Sequence, residues 1–259
     1  MKVAVVVSSC DYFSDCWEPM FLSLSRCWPD CKYPVYFVSN HQNIEAPPNV
    51  TFIRVGEDRL FSANLKLALL QIDADYIIYL QEDYWLTQRV STSAINEHIT
   101  FAESHDVDYL RLSFPYQLGT VVNDKYCQLP LTQKYALCLQ AAIWKRETML
   151  KLLIDGHSGW DFEYMIQKYA LQNDIKVKAY CLREKFMSDG VQYVEGTAVR
   201  KGRWTRAAVL FLQENGFSYL LNKRKTEGLI LSFLQKIQGR LRPCALCVVK
   251  LMKILNLNI

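Results

Sequence analysis

Two pairs of acids and one knot of cations are the residues of this chain whose types and spacing could do chemistry. Glu82 and Asp83 directly follow the wholly apolar run Tyr76–Leu80 and precede Tyr84 and Trp85. Carboxylates delivered to the end of a buried strand are costly unless a cation or strong donors meet them. A hard divalent ion bridging to a diphosphate would satisfy both. The plain alternative is a Glu-Asp turn that caps the next segment. Asp161 and Glu163 fall in the stretch His157–Glu163, where Gly159 leads into a helix whose dipole favours carboxylates near its start. Two residues apart, they cannot face the same way. One is then a candidate for chemistry and the other a cap, with Asp161 preferred for chemistry; capping by both is the competing reading. Arg200, Lys201 and Arg203 gather with Trp204 round Gly202. In a mobile loop such cations would stabilise charge developing on a leaving group; a solvated loop is the alternative.

The elements that must position these residues alternate over the first third of the chain. Val3–Ser8 is an apolar run typical of a strand buried on both faces. Strands are also expected at Pro34–Ser39, Val50–Val55 and Tyr76–Leu80, with helices at Glu18–Cys27 and Arg59–Ile72 between them. Such alternation predicts βαβ units and a mainly parallel sheet. Further on, strands are expected at Asp108–Leu112, Ala136–Trp144 and Val177–Cys181. Helices are expected near Ser93–Ser104, over Lys145–Ile154 and from Gly159 to Leu171. Lys185–Arg206, punctuated by glycines and charges, reads as a loop region. Open α/β sheets bind ligands at the carboxyl ends of their strands, which selects Ser8, Asp11 and Tyr12, the surroundings of Asn40, and Gln81–Trp85. Tyr12 could stack on a base, with packing as the alternative. Lys66, on the helix before the Tyr76 strand, could reach the same ligand, although surface solvation competes.

Composition narrows the class. The 259 residues are 51% hydrophobic and 22% charged, enough apolar surface for a proper core. Nine scattered cysteines with no visible signal peptide read as reduced thiols in the cytosol, and Cys244-x-x-Cys247 lacks the second pair a metal site needs. The net charge of +4 is uneven: residues 223–259 hold eight basic residues against Glu227 alone, which leaves the other 222 residues acidic. That tail carries helical stripes, with Ile230, Phe233, Leu234 and Ile237 on one face and Cys247, Val248, Leu251 and Leu255 on a second, and its uncharged stretch Pro243–Val249 is too short to span a bilayer. A basic amphipathic pair of helices suits an anionic membrane surface; packing on the domain or a dimer contact are its alternatives. No nucleic-acid motif is present, so a nucleic-acid partner is not expected.

The segment Asp73–Tyr84 (DADYIIYLQEDY) resembles the D-x-D region of GT-A-fold glycosyltransferases, especially bacterial enzymes of lipopolysaccharide and capsule assembly. Val3–Ser8 with Cys10, Asp11 and Tyr12 is similar to the family's first strand and base-binding loop. Leu139–Thr148 resembles the strand and helix that follow its metal motif, and His157–Glu163 the segment that carries the base of inverting members. The resemblance covers about residues 1–206. It implies an α/β, Rossmann-like fold with a mostly parallel mixed sheet flanked by helices; with the charge asymmetry, the chain divides into a catalytic domain over 1–222 and a basic helical tail over 223–259. It implies a sugar moved from a nucleotide-diphosphosugar, UDP-linked, to a saccharide or lipid-linked saccharide. Glu82 and Asp83 would hold the donor through Mn²⁺ or Mg²⁺, and Asp161 or Glu163 would deprotonate the acceptor. Glu-Asp replaces the D-x-D pattern here, a departure that bears on metal dependence. A cytoplasmic enzyme, peripheral on the inner face of the membrane, follows from the tail. The rivals are a nucleotidyltransferase, which would show a Gly-rich basic loop after its first strand where this chain has Ser8–Phe13, and an inactive scaffold, against which the two acid pairs stand.

Overall fold

The computed structural model describes residues 1–113, 119–194 and 197–228. The chain divides into two compact units, Met1–Gly196 and Thr197–Ile259.

In the first unit the strands are β1 (Val3–Ser8), β2 (Val35–Ser39), β3 (Val50–Arg54), β4 (Tyr76–Gln81), β5 (Tyr109–Arg111), β6 (Thr120–Val121), β7 (Tyr126–Leu129), β8 (Ala142–Lys145) and β9 (Ala179–Leu182). The helices are α1 (Trp17–Cys27), α2 (Leu60–Leu69), α3 (Thr92–Ser104), α4 (Arg146–Leu152) and α5 (Gly159–Gln172). The strands form one sheet in the order β3-β2-β1-β4-β8-β5-β9-β7-β6. The four strands from β3 to β4 are parallel neighbours, and β8 and β7 run against the rest. The sheet is therefore mixed and mostly parallel, flanked by helices, as the alternation of apolar runs predicts.

Each face is buried for a readable reason. Ala4, Val6, Ile77, Tyr79, Tyr109 and Trp144 point to one side and pack with Leu65 and Leu69 of α2, Met149 and Leu152 of α4, and Phe162 and Ile166 of α5. On the other side Trp17 and Phe21 of α1 meet Phe37 edge-on, with centroids 5.5 and 5.0 Å away. Both faces of β1 and β4 are thus covered, which explains why their sequences show no alternation.

Strand order gives the fold its functional edge. From β1 the chain builds outward through β2 to β3, then returns to place β4 on the other side of β1. The carboxyl ends of β1 and β4 therefore flank the point where the winding reverses, the place where open α/β sheets leave a crevice.

Two expectations change. Ala136–Trp144 is strand only over Ala142–Lys145; Leu137, Cys138 and Leu139 are buried but irregular, and side chains bond the backbone of Leu137 and Leu139. Lys185–Arg206 is not one loop: Glu184–Asp189 forms a 3-10 helix, and β10 (Val199–Arg200) pairs with β11 (Arg203–Trp204). The short strands β6 and β7 carry no period that the sequence reveals.

The second unit, over its described residues, is that β10–β11 hairpin followed by α6 (Arg206–Glu214) and the 3-10 helix Ser218–Lys223. Lys201 and Gly202 close the hairpin with φ of 50° and 72°, the pair of positive values a two-residue turn of matching twist requires. The buried Trp204 indole donates to the Leu220 carbonyl at 3.2 Å, and the Glu227 N–H donates to the Trp204 carbonyl at 2.9 Å. The Glu227 carboxylate pairs with Arg200 at 3.0 Å. The single acid of the basic C-terminal stretch is therefore built into this unit. The amphipathic stripes and the Cys-x-x-Cys pair lie outside the described residues, among which no helix is long and apolar enough to cross a membrane.

Candidate functional site

Glu82 and Asp83 occupy the two central positions of a β-turn closed by the Tyr84 N–H on the Gln81 carbonyl at 3.1 Å. Acids at a turn tip usually stand in water; these are only 8% and 6% exposed. Neighbouring groups hold the turn rigidly. The Glu82 N–H extends the β1–β4 ladder to the Ser8 carbonyl at 3.3 Å, and the Trp85 indole donates to the Glu82 carbonyl at 3.1 Å. Ser8, opposite Gln81 in register, is buried beside it. Burial, then the Glu82 charge, push the Cys10 thiol up to about 12, so it stands in the crevice as a neutral group.

Asp11 welds the loops after β1 and β2. Its carboxylate accepts the backbone N–H groups of Asn40, His41 and Gln42 at 2.9, 3.0 and 3.1 Å. The Asn40 side-chain carbonyl in turn accepts the Asp11 N–H at 3.0 Å. Asp11 thus shapes the crevice wall, while Tyr12 beside it is exposed and presents its ring to solvent. Sequence reasoning missed Asp58, whose charge also reaches Cys10. Its carboxylate accepts from the Leu60 N–H at 3.0 Å and the Asn64 side chain at 2.8 Å. The turn it caps holds Leu60 at φ 68°, a costly value for a bulky residue.

The second acid pair splits into two different jobs. Asp161 completes a capping box at the start of α5, accepting the Ser158 N–H at 2.9 Å and the Ser158 hydroxyl at 2.6 Å. Those two bonds hold its carboxyl below the usual range. Glu163 is half-buried, and its carboxylate accepts the Leu139 N–H at 2.8 Å. Burial raises its pKa; the Leu139 bond and the Arg111 charge oppose the rise without cancelling it. A proton acceptor needs a carboxylate with raised basicity; of the two acids Asp161 is taken up by the cap, and Glu163 is the one whose pKa is raised.

A buried polar network joins the two acid sites, and no local period of the chain encodes it. The Tyr84 hydroxyl donates to the Leu139 carbonyl at 3.2 Å, and the Tyr84 ring stacks on Tyr193 with centroids 4.4 Å apart. The Tyr193 hydroxyl donates to the Gln140 side-chain carbonyl and accepts from the Ser113 hydroxyl at 3.1 Å, while the Gln140 amide donates to Tyr84 at 3.3 Å. Gly190 permits this arrangement: a Cβ there would meet the Leu112 carbonyl oxygen at 2.0 Å. Arg111, fully buried at the end of β5, donates to the Tyr109 hydroxyl at 3.0 Å and to the Tyr135 carbonyl.

The predicted cations have the following local surroundings. Lys66 pairs with Asp155 at 3.3 Å on the flank of α2. Arg200 is committed to the buried Glu227, and Lys201 and Arg203 are exposed on a tight hairpin rather than a mobile loop. Among the described residues no three His, Cys, Asp or Glu side chains converge to hold a metal ion. The protein offers a pair of hard carboxylates at Glu82 and Asp83, which fits an ion whose remaining ligands are phosphate oxygens and water.

No family model matches the chain, and no curated protein matches it in sequence. Solved structures similar to it include *S. aureus* TarS 1–349 in complex with UDP, at 12% identity and a TM-score of 0.47, covering 70% of this chain and 60% of that one. The same TarS piece in complex with UDP-GlcNAc is 12% identical with a TM-score of 0.45, covering 64% and 53%. A cytidylyltransferase from Leptospira borgpetersenii is 14% identical with a TM-score of 0.42, covering 68% and 74%. The chain thus spans less than two thirds of the TarS chain it matches. Scores below 0.5 leave the chemistry to be argued from the site.

Proposed function

We propose that the chain is a glycosyltransferase that moves a sugar from a nucleotide-diphosphosugar, UDP-linked, to a saccharide acceptor. The observation that carries the reading is the Glu82–Asp83 turn, buried at the carboxyl end of β4 where the strand order reverses beside β1. That crevice is where an α/β sheet takes a nucleotide, and two acids there suit a ligand that brings its own phosphates and a hard cation.

In this reading the crevice beyond Ser8, Asp11 and Tyr12 takes the nucleoside, with the Tyr12 ring available for stacking. Asp83, with Glu82, would hold Mn²⁺ or Mg²⁺ against the diphosphate, where the ion supplies charge neutralisation for the departing nucleotide. Glu163 accepts the proton of the acceptor hydroxyl as that oxygen forms a bond to the anomeric carbon and the bond to the diphosphate breaks. Leu139 positions the Glu163 carboxylate, on which the Arg111 charge acts; Tyr84, stacked on Tyr193, holds Leu139 through its hydroxyl. The acceptor belongs to cell-surface polysaccharide or lipopolysaccharide assembly, and the basic C-terminal stretch would bring the enzyme to a lipid-linked acceptor at an anionic membrane.

The test is calorimetric titration of UDP-sugars into the full chain with and without Mn²⁺, paired with a thermal-shift series. A ligand at 100 times its dissociation constant adds about 2.7 kcal/mol of stability. Binding that Mn²⁺ strengthens, with slow release of UDP from UDP-sugar, supports transfer. Pyrophosphate release from a nucleoside triphosphate would assign the site to a nucleotidyltransferase instead.

A further inference from the structure

Helix α5 leaves a line of large side chains in water. Trp160, Tyr164 and Leu171 are 76%, 78% and 53% exposed. At about 100° per residue they fall within roughly 40° of one another round the helix, opposite the arc that Phe162, Ile166 and Ala170 bury in the core. Glu163 lies on the border between the two arcs. The same flank carries Gln167, whose amide donates to the Leu137 carbonyl at 3.2 Å, two residues from the Leu139 N–H that Glu163 holds. The line therefore starts beside the acid assigned to proton transfer and runs away from it along α5.

The line is not a purely apolar face. Leu131, Tyr164 and Leu171 border an open groove of about 400 Å³ whose other walls are Thr132, Gln167, Lys168 and Gln172. Two amides, a hydroxyl and an ammonium thus share the walls with two leucines and a tyrosine plate, with no carboxylate in the lining. An exposed tryptophan and tyrosine one turn apart are the kind of patch that marks a binding surface. A sugar ring has the matching division, a flat face of C–H groups and a rim of hydroxyls. Aromatic plates take the face, and amides, which both donate and accept, take the rim. A contact between proteins would favour an apolar centre with polar groups kept outside it; here the polar groups line the groove itself. From Trp160 to Gln172 the helix rises roughly 18 Å, room for several linked rings.

We infer that Trp160, Tyr164 and the groove beside α5 form an acceptor subsite that binds the linked rings of an oligosaccharide and leads its terminal hydroxyl to Glu163. The inference rests on the glycosyl-transfer reading for its last step, while saccharide binding itself does not. The test applies the full chain, without donor, to a printed glycan array, beside Trp160→Ala, Tyr164→Ala and the double variant. Wild type is expected to bind oligosaccharides more strongly than their monosaccharides, and each ring removed weakens binding about tenfold. Both side chains are exposed, so the melting temperature should stay unchanged, and Trp160→Phe should recover part of the loss. With an acceptor in hand, the variants should raise its KM and leave kcat and UDP-sugar binding intact.

Absence of any bound glycan, or equal binding by the double variant, overturns the subsite. So does a wild-type dimer in sedimentation that the double variant dissolves, which would make the line a contact between copies of the chain. Glycan binding without UDP-sugar binding would keep the subsite and sink the transfer reading; UDP-sugar binding without glycan binding would do the reverse.

Discussion

Tyr84 and Glu163 grip the same residue from its two sides. The tyrosine hydroxyl donates to the Leu139 carbonyl at 3.2 Å, and the glutamate carboxylate accepts the Leu139 N–H at 2.8 Å. Tyr84 directly follows Asp83, so a single residue of an irregular segment couples the acids at the end of β4 to the acid on α5. The distance between the two acid sites is thereby fixed by hydrogen bonds rather than by loop length. In the proposed transfer, preorganisation of this kind would keep Glu163 aligned with the bond that breaks.

Tyr84→Phe should separate position from binding. The ring and its stack on Tyr193 remain, but the Leu139 carbonyl and the Gln140 amide lose a buried partner, at a cost of about 1–3 kcal/mol. Turnover should fall while UDP-sugar affinity holds, because the Glu82–Asp83 turn keeps its own bonds. Urea unfolding and calorimetry on the same sample check both halves. A variant with normal stability and normal turnover would show that Leu139 needs no second grip.

Glu163→Gln and Asp161→Asn should act in opposite ways. Glutamine can still accept the Leu139 N–H, so Glu163→Gln keeps the contact, loses the proton acceptor and lowers turnover by roughly 10²–10⁴. Because burial raises the folded-state pKa of Glu163, its ionisation costs stability as pH rises from the unfolded value through the folded one. The variant should therefore be as stable as wild type at neutral pH, or more so. Asp161→Asn instead weakens the capping box. It should lower the melting temperature above the acid range, with turnover kept. In wild type, the acid limb of kcat/KM should fall at a higher pH than an ordinary glutamate gives. If Asp161→Asn alone loses turnover, the assignment of roles is reversed.

Much of this architecture was legible because burial writes itself into residue type. Val3–Ser8, Val35–Ser39 and Tyr76–Gln81 are covered on both faces, so their apolar runs mark them to within a residue or two. The acids at the end of β4 were legible for the same reason, since a charged pair interrupts an apolar run. The division between Asp161 and Glu163 was not, because a cap and a proton acceptor use the same side chain and differ only in what lies opposite. Leu139 and Tyr193 meet Glu163 and Tyr84 across 24 and 109 positions of sequence, and no local period encodes such a contact. Arg200 read as a free loop cation because its partner, Glu227, stands 27 residues away in a stretch whose composition is otherwise basic.

Asp83→Ala should abolish transfer and remove the part of donor binding that Mn²⁺ adds, while the fold survives. The turn is held by the Tyr84 N–H and by the Trp85 indole, neither of which needs the Asp83 side chain. Calorimetry with and without Mn²⁺ reads the effect directly. Donor binding that responds to Mn²⁺ as in wild type would remove Asp83 from the metal site.

His98 should give the fold a pH-dependent joint away from the crevice. Its ring meets the Tyr126 hydroxyl at 2.8 Å and the Asp189 carbonyl at 3.1 Å. A carbonyl only accepts, so the neutral ring donates from Nε2 and accepts from Tyr126 at Nδ1. Burial lowers its pKa, helped by the Lys125 charge and opposed by the Asp189 carbonyl and by the charges of Glu97 and Asp189. The stability it contributes is present above the ordinary value of about 6.5 and is lost as pH falls below that toward the folded value. His98→Gln should flatten the decline in melting temperature between pH 7 and pH 5 relative to wild type. Parallel curves for the two proteins would assign that decline to carboxylates alone.

Glu227 decides where the C-terminal stretch can be cut. A chain ending at Asn222 loses the carboxylate that pairs with Arg200 and the strand-like contact of Thr226 with Trp204, so it should destabilise the second unit. A chain ending at Gly228 keeps both. The removed stretch holds Lys236, Arg240, Arg242, Lys250 and Lys253 and no acid. Each basic residue near an anionic surface contributes on the order of 1 kcal/mol, falling off within a Debye length. The full chain should therefore pellet with vesicles containing phosphatidylserine, release as salt rises, and keep an apolar remainder from Phe233, Leu234 and Leu251. The chain ending at Gly228 should stay in solution with unchanged turnover on a soluble acceptor. Equal pelleting of the two proteins, or aggregation of the shortened one through loss of a packed face, would assign those residues to the folded protein and not to a membrane.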